Sequence, residues 1–450
     1  MSEINKTGIV KLKKQAFTYS VGGNVFTDDI TNTDYSNMPV SVGKYNIIPD
    51  GVTNNRPKDI RDLFDKNSMA SGLIGRKTNI NWGQGPYLYK RELVEKKWIK
   101  TPISDPEIED WLNKWEERGA KESFEKYLLA QMVDYNSREL HFSKVVRARG
   151  ARIGMPSIAY LEHIGVEHAR FEHPGTDIEL TPKRIIVTDF LNEVYDTVRV
   201  YNIFQSFDPY KYASCIAFSQ FKSFGRQFVN MPSWYAAKKW ILLASNMPEI
   251  LTYYTNNSMS PKFHVIIPEA YVDGLEETIR ENCRLTGKIY TNQLLEDALD
   301  ESLQQLSNVM AGQTNVGKFF ASRKFKDQFG EYKWEILPID QKIKEFIDSH
   351  LEIFKVSQFA NTNAFQVPTA LSNISTDGNL SSGSEILYSL KLYLATSIDL
   401  PEMIVCEHIN QAIKINFPRV IKDKIQLGFY HDIVGKEEDV NPSSRMTKKV

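Results

Sequence analysis

The stretch from Phe365 to Phe417 constrains the fold more than any other part of the chain. Its first part, the sixteen residues Thr369 to Ser384, is rich in Ser, Asn, Thr and Gly, and Asp377 is its only charged side chain. Ser382 and Glu385 stand three apart, the spacing of a capping box in which Ser supplies an oxygen to a free N–H and Glu reaches back. Behind them Ile386, Leu387, Leu390, Leu394, Ile398, Val405, Ile409 and Ile413 recur at helical spacing, which predicts roughly 50 Å of helix at about 1.5 Å per residue. Pro401 should kink that helix, because it lacks an N–H and its ring crowds the preceding turn. A polar loop returning into a long bent rod is unusual in a compact enzyme, although a surface loop before an ordinary helix has the same composition.

Length and charge bound the rest. A chain of 450 residues can bury a sizeable core and is expected to hold two or three structural units. Its 55 Lys and Arg against 56 Asp and Glu leave no net field toward nucleic acid or membrane, so any contact with DNA must be local or weak. Cys215, Cys283 and Cys406 are far apart and form no CxxC pair, which argues for a reducing compartment and against a zinc ribbon. Met1 to Lys6 lacks the apolar core of a signal peptide and no stretch approaches a membrane span, so a soluble intracellular product is expected.

Along the chain, residues 1–44 are polar and read as an arm or edge structure. Pro57 opens a short helix carrying Ile60, Leu63 and Phe64 on one face, and a second helix starts at Ser68. Gly83-Gln84-Gly85 follows, and there the glycines suit a tight turn of positive φ; no third glycine or preceding strand supports a dinucleotide site. Ser104 and Glu107 predict a capped helix with Ile108, Trp111, Leu112 and Trp115 on one face, in a helical region reaching about Tyr135 that Gly119 divides. From His141 to Tyr201 the period falls toward two, with strand-like pieces at 157–161, 184–187 and 197–201, and a mixed sheet is expected there. The eleven aromatics of residues 201–235, interleaved with Lys211, Lys222 and Arg226, suit a packed core better than a base-stacking surface, because no alternation of aromatic and cation repeats. Pro232-Ser233-Trp234 starts a helix to about Asn257 with a bend at Pro248. A strand at 260–267, two acidic helices at about 275–285 and 292–310, a strand at 332–336 and a helix carrying Ile343, Phe346, Ile347, Leu351 and Phe354 come next. Residues 424–430 alternate as a strand that can rejoin the earlier sheet, and the charged tail from Gly435 reads as disordered.

Catalytic patterns fail on inspection. Gly312 to Lys318 satisfies GxxxxGK, but Phe319 stands where Mg²⁺ needs a hydroxyl and a helical pattern precedes it. Glu162-His163, Glu167-His168 and Glu172-His173 repeat every five residues, a step that converges no three imidazoles on a strand or a helix. Cys406 and His408 diverge on a helix and cannot form a nucleophile–base pair. Lys144, Arg147, Arg149 and Arg152 form the densest basic cluster, either a phosphate contact or a charged strand edge. No catalytic residue, cofactor or metal is expected.

The order of these pieces resembles that of bacteriophage portal proteins, the head–tail connectors, and the succession of NxxP, short helix, Ser-led helix and GxG resembles the N-terminal signature of portals from phages of Bacteroidetes-type hosts. The likeness runs over roughly residues 45–430. It implies an α+β portal fold: N-terminal arm 1–44, wing 45–230, stem helix 231–257, small α/β clip 258–338, second stem helix 339–364, channel (tunnel) loop 365–384, long kinked wing helix and returning strand 385–434, and a short tail 435–450 in place of a large crown. It also implies a homo-oligomeric ring of about twelve copies at one capsid vertex of the virion, assembled in host cytoplasm. Implied partners are the major capsid protein, the terminase large subunit, head-completion adaptor or tail proteins, and double-stranded DNA passing through the channel during packaging and ejection, with no membrane. Thr369, Ser372, Asn373, Ser375, Thr376, Asp377, Asn379, Ser381 and Ser382 would face that DNA. Glu296, Asp297, Asp300 and Glu301 would pair with Lys318, Arg323, Lys324 and Lys326 across a clip interface. A cytosolic α+β enzyme of unknown chemistry and a non-ring nucleic-acid-binding protein are the alternatives.

Overall fold

The computed structural model describes residues 7–12, 15–20, 39–51, 54–148, 157–175, 181–226, 228–257, 263–310, 325–327, 330–332, 335–338, 343–372 and 383–432. The chain divides into two compact units, one of residues 1–245 and 354–450, the other of residues 246–353.

The larger unit begins with two hairpins, β1 (Thr7–Leu12) with β2 (Gln15–Ser20) and β3 (Val40–Val42) with β4 (Tyr45–Ile47). Helix α1 (Arg56–Asp65) carries Pro57 in its first turn, where a missing N–H costs nothing. Helix α2 (Ser68–Trp82) is capped by Asn67, whose side chain accepts from Ala70 N at 2.8 Å and donates to Ile241 O at 2.8 Å. At Gly83, φ is +58°, and a Cβ there would lie 2.2 Å from the carbonyl oxygen of Tyr430, so only glycine fits this close crossing. Strands β5 (Pro86–Val94) and β6 (Lys97–Pro102) form a hairpin whose two turn residues, Glu95 and Lys96, both have positive φ.

Helix α3 (Pro106–Asn113) corrects the expected cap by one residue. Asp105, not Ser104, accepts from Glu107 N and Ile108 N, and Glu109 rather than Glu107 reaches back, to Asp105 N at 3.2 Å. Pro106 explains the shift: it fills the first helical position, so the cap must precede it directly. Gly119, at φ +101°, separates α3 from α4 (Phe124–Arg138). Then come β7 (Leu140–Arg147), β8 (Ile158–Ile164), β9 (Ala169–Phe171), β10 (Arg184–Asp189), β11 (Val194–Asn202) and β12 (Ser214–Gln220). A 3₁₀ turn at Ser233–Ala237 leads into α5 (Lys238–Asn257), which contains Pro248.

Within residues 246–353, β13 (Phe263–Ile266) pairs antiparallel with β16 (Glu335–Pro338), enclosing in sequence α6 (Glu269–Thr286), α7 (Asn292–Met310) and the hairpin β14 (Phe325–Asp327) and β15 (Gly330–Tyr332). Helix α8 (Ile343–Ala364) leads back to the larger unit.

The expected long kinked helix is instead three, α9 (Gly383–Thr396), α10 (Asp399–Val405) and α11 (Glu407–Asn416), followed by α12 (Arg419–Asp423) and β17 (Ile425–Phe429). Pro401 sits in the first turn of α10, so the break falls at 397–398, one turn earlier than the proline, where its ring would otherwise meet a carbonyl. The sheets also differ from expectation. Rather than one mixed sheet, the strands of 141–201 divide between two three-stranded antiparallel sheets, β12-β7-β8 and β11-β10-β9, joined by an isolated parallel bridge between Ile203 and Ile216, while β17-β5-β6 form another three-stranded antiparallel sheet. Strand β17 joins β5, not the strands of 141–201.

The main core packs α3, α4, α10 and α11 with β7, β8 and β17 through Trp111, Trp115, Leu128, Met132, Val405 and Ile409. The 201–235 aromatics divide. Trp234 and Tyr235 are buried, whereas Phe207 and Phe224, in loops flanking β12, are 84% and fully exposed.

Candidate functional site

Of the predicted loop, the start through Ser372 and the last two residues, Gly383 and Ser384 at the head of α9, are described. Thr369 opens a 3₁₀ turn, Thr369–Leu371, whose Ala370 and Leu371 are buried, Ser372 closes it by donating its backbone N–H to Thr369 O, and Arg76 donates to Leu371 O at 3.1 Å. The residues leading to it are held firmly. Val367 N donates to Thr362 O at 3.1 Å as α8 ends, Gln366 takes φ +58°, and Phe365 stacks on Trp234 at 5.3 Å with the planes 20° apart. Asn373, Ser375, Thr376, Asp377, Asn379, Ser381 and Ser382 lie outside the described residues; of the expected capping box only Glu385, in the first turn of α9, is described. The acids Glu296, Asp297, Asp300 and Glu301 are exposed on α7. Lys326 lies on β14, while Lys318, Arg323 and Lys324 are outside the described residues, as are the GK turn and the tail from 433.

The polar patterns weighed for chemistry are taken up locally. Glu162 binds Lys144 at 2.7 Å and Lys121 at 3.3 Å, His163 meets Asp134 at 2.8 Å, and Glu172 is held by Arg184. Burial pushes the His163 pKa down, but the Asp134 hydrogen bond and charge outweigh it, and the net shift is upward. Arg147 donates to Tyr210 O at 2.6 Å, and Arg149 and Arg152 are outside the described residues. Among the described residues no group of three or more His, Cys, Asp or Glu is placed to hold a metal ion.

Two buried polar clusters were not legible from spacing. In the first, Asp50 accepts from Arg56 at 3.0 Å and Arg138 at 2.5 Å, while Arg170 donates to Asn54 Oδ1 at 2.6 Å and to the carbonyls of Val166 and Ala169. Burial raises the Asp50 carboxyl, but the charges of Arg138, Arg56 and Arg170 more than reverse that and hold it below the usual range. Burial lowers Arg170 to about 10. The Arg138 Nε and Nη1 have no partner and are sealed from solvent, so this cluster locks the segment between β4 and α1 to α1, α4 and β9 rather than offering donors to a ligand. Arg138 ends the buried stripe Tyr127, Leu128, Gln131, Met132, Tyr135, and a cation in that phase was the one available signal.

In the second cluster, His408 Nδ1 lies 2.7 Å from Ser143 Oγ and its Nε2 lies 3.1 Å from Ser219 Oγ; Tyr127 and Gln131 also reach Ser143, at 2.7 and 3.1 Å. The His141 ring lies beside it, centroids 4.9 Å apart and tilted by 60°, and its Nε2–H donates to Ile404 O at 3.0 Å, which fixes the proton on Nε2. Serine, histidine and Glu407 are thus close together, yet Glu407 bonds Ser219 and not the imidazole. All the hydroxyls and rings are buried, burial lowers His408 to about 4, and burial lifts the Cys406 thiol well above its ordinary value. A nucleophile needs both an orienting acid on its base and a path for substrate, and this cluster has neither.

The fold and its clusters define an α+β protein of open antiparallel sheets whose polar interior holds helices to sheets. No protein-family model matches the chain, and no curated protein matches it. Among solved structures it is similar to a chain of the neck of an empty GTA particle computed with C6 symmetry (TM-score 0.49, 14% identity, 83% of this chain and 84% of that one). It is also similar to one from the virion of a native gene transfer agent particle (0.48, 14%, 82% and 83%) and to one from the neck of a native GTA particle computed with C12 symmetry (0.47, 14%, 86% of each).

Proposed function

We propose that the chain is a phage portal protein, a structural and non-catalytic subunit of a ring at one capsid vertex. The observation that carries this reading is the insertion of a separate small α/β unit, residues 246–353, into a larger unit, with the long helices α5 and α8 at its two boundaries and the polar run immediately after α8. In this reading α5 and α8 are stem helices, residues 258–338 the clip, and the run 369–384 the channel loop. The ring docks terminase, then adaptor and tail proteins, and passes double-stranded DNA. A channel that lets a polyanion slide should not grip it, since each neutralised phosphate releases counterions and binds. The loop contains no Lys or Arg and so offers hydroxyl and amide contacts without ion pairs. The clip acids at 296, 297, 300 and 301 would pair with the bases at 318, 323, 324 and 326, within or between copies.

Electron microscopy of native particles tests the assignment: a ring of this chain at a single vertex is expected. Its absence from particles, or a place on every capsid face, ends the reading. Lys at Ser372, Asn373, Ser375 and Asn379 together should yield particles with incomplete genomes, and full genomes at normal yield would remove the loop from the channel.

A further inference from the structure

The hairpin β5–β6 carries apolar surface that its own subunit leaves uncovered. Strand β17 pairs with β5 only over Pro86–Lys90, so the outer half is a two-stranded ribbon, a form only marginally stable in water by itself. Leu93 and Trp98 stand opposite each other on one face, 59% and 57% exposed, and Val94 and Ile99 are also exposed on the other. Arg91 lies 4.7 Å over the Trp98 ring, and Lys90 is paired with Glu92. With that pair set aside, the sequence of the ribbon from Arg91 to Lys97 carries three bases and one acid, Glu95, so its tip is basic.

The same unit holds a matching seat. Between α1, α2 and α4 lies a cavity of about 350 Å³ with apolar walls from Ile60, Phe64, Ile74 and Val133 and with Asp65 and Glu167 among its lining. Of its charged lining, Arg61 pairs with Asp62, Arg138 with Asp50 and Asp134 with His163, which leaves Asp65 and Glu167, the latter 3.6 Å from His168, as the acids at its edge. An apolar cavity edged by acids takes a large aromatic side chain flanked by bases, the arrangement that supplies most of the energy at protein interfaces.

We propose that the β5–β6 ribbon of one copy seats Leu93 and Trp98 in the α1–α2–α4 cavity of the next copy. The contact is head-to-tail: it joins two different patches and leaves each end of a pair free to recruit another copy. It deepens the ring reading by naming the surfaces between neighbours, and it rests on that reading only for the existence of a second copy.

The test uses two full-length variants altered at half-exposed or exposed positions, so that both keep their cores: L93E with W98E in the ribbon, and D65K with V133R at the cavity. Circular dichroism and melting curves check that each is folded. Sedimentation should show wild-type chain self-associating and each variant doing so roughly a hundredfold more weakly. Mixed in equal amounts, the two variants should form dimers and nothing larger, because one intact ribbon and one intact cavity remain per pair. Variants that assemble like wild type, a mixture that stays monomeric, or a wild type that is monomeric at every concentration reached would each overturn the proposal. Variants that assemble normally leave the ring reading untouched. Dimers from the mixture alongside wild-type open chains uphold the contact and count against the ring.

Discussion

The buried imidazole His408 gives this protein an acid-sensitive joint whose size follows from the structure. Burial lowers its pKa from 6.5 to about 4, so the folded protein holds the ring neutral while the unfolded chain protonates it readily. A depressed histidine contributes stability that is fully present above pH 6.5, drains as pH falls through the window from 6.5 to 4, and is gone below it. At 1.36 kcal/mol per pKa unit, the loss from this one group is about 3 kcal/mol. His141, held well below 6.5 by burial and by the neighbouring His408, adds a loss of the same sign as pH falls below 6.5. His163 acts oppositely: its raised pKa adds stability below 6.5 that is lost as pH rises through the folded value. Carboxylates steepen every acid limb, so the informative quantity is a difference between proteins. Hydrogen exchange of the α11 amides, followed from pH 7 to 4.5 in wild type and in H408Q, isolates it. H408Q should be weaker at pH 7, having lost its fit to Ser143 and Ser219, and should show a shallower acid slope, the gap closing by about 2–3 kcal/mol. Parallel slopes would mean that His408 is not held neutral, and the reasoning would fail.

Three further outcomes are expected from urea or thermal unfolding of the larger unit. D50N leaves Arg56, Arg138 and Arg170 without their carboxylate and should cost about 3–5 kcal/mol; a change under 1 kcal/mol would mean that water already serves the cluster. G83A places a Cβ 2.2 Å from Tyr430 O at a left-handed φ and should lower stability by about 2–3 kcal/mol. Q366G removes a left-handed side chain at the end of α8 and should raise stability by about 0.5–1 kcal/mol, since glycine's extra unfolded entropy offsets part of the relief.

What the sequence made visible, and what it hid, divides along a physical line. Periodicity located α5 through α8, the strand at 263–266 and the strand at 425–429, because the repeat that marks each is local in the chain. Positive φ at Gly83 and Gly85 was legible for the same reason. The misplacements at α3 and α10 share one cause. Pro106 and Pro401 each sit in a first turn and thereby fix where the helix starts, a constraint that neither a Ser104 cap nor a mid-helix kink at Pro401 takes into account. Sheet membership was hidden because a strand's alternation says which face is buried and nothing about its neighbour; β17 chose β5.

The long-range polar links show why that choice is unique. Glu402, buried on α10, accepts from Phe429 N at 3.1 Å, from Tyr89 OH at 3.2 Å and from Lys100 Nζ at 2.8 Å, so one carboxylate ties the helix to β17, β5 and β6 at once. Gly428 is required beneath it, since a Cβ there would lie 2.7 Å from both the Glu402 carboxyl and the Tyr89 ring. A strand placed one residue out of register would put Leu427 or Phe429 under that carboxylate and turn its apolar side chains to the other face. Register is therefore set twice, by the apolar pattern and by an anion that only one glycine can accommodate. The same hub holds the root of the β5–β6 hairpin through Lys100, which gives the exposed ribbon beyond it a fixed direction in which to meet a neighbour.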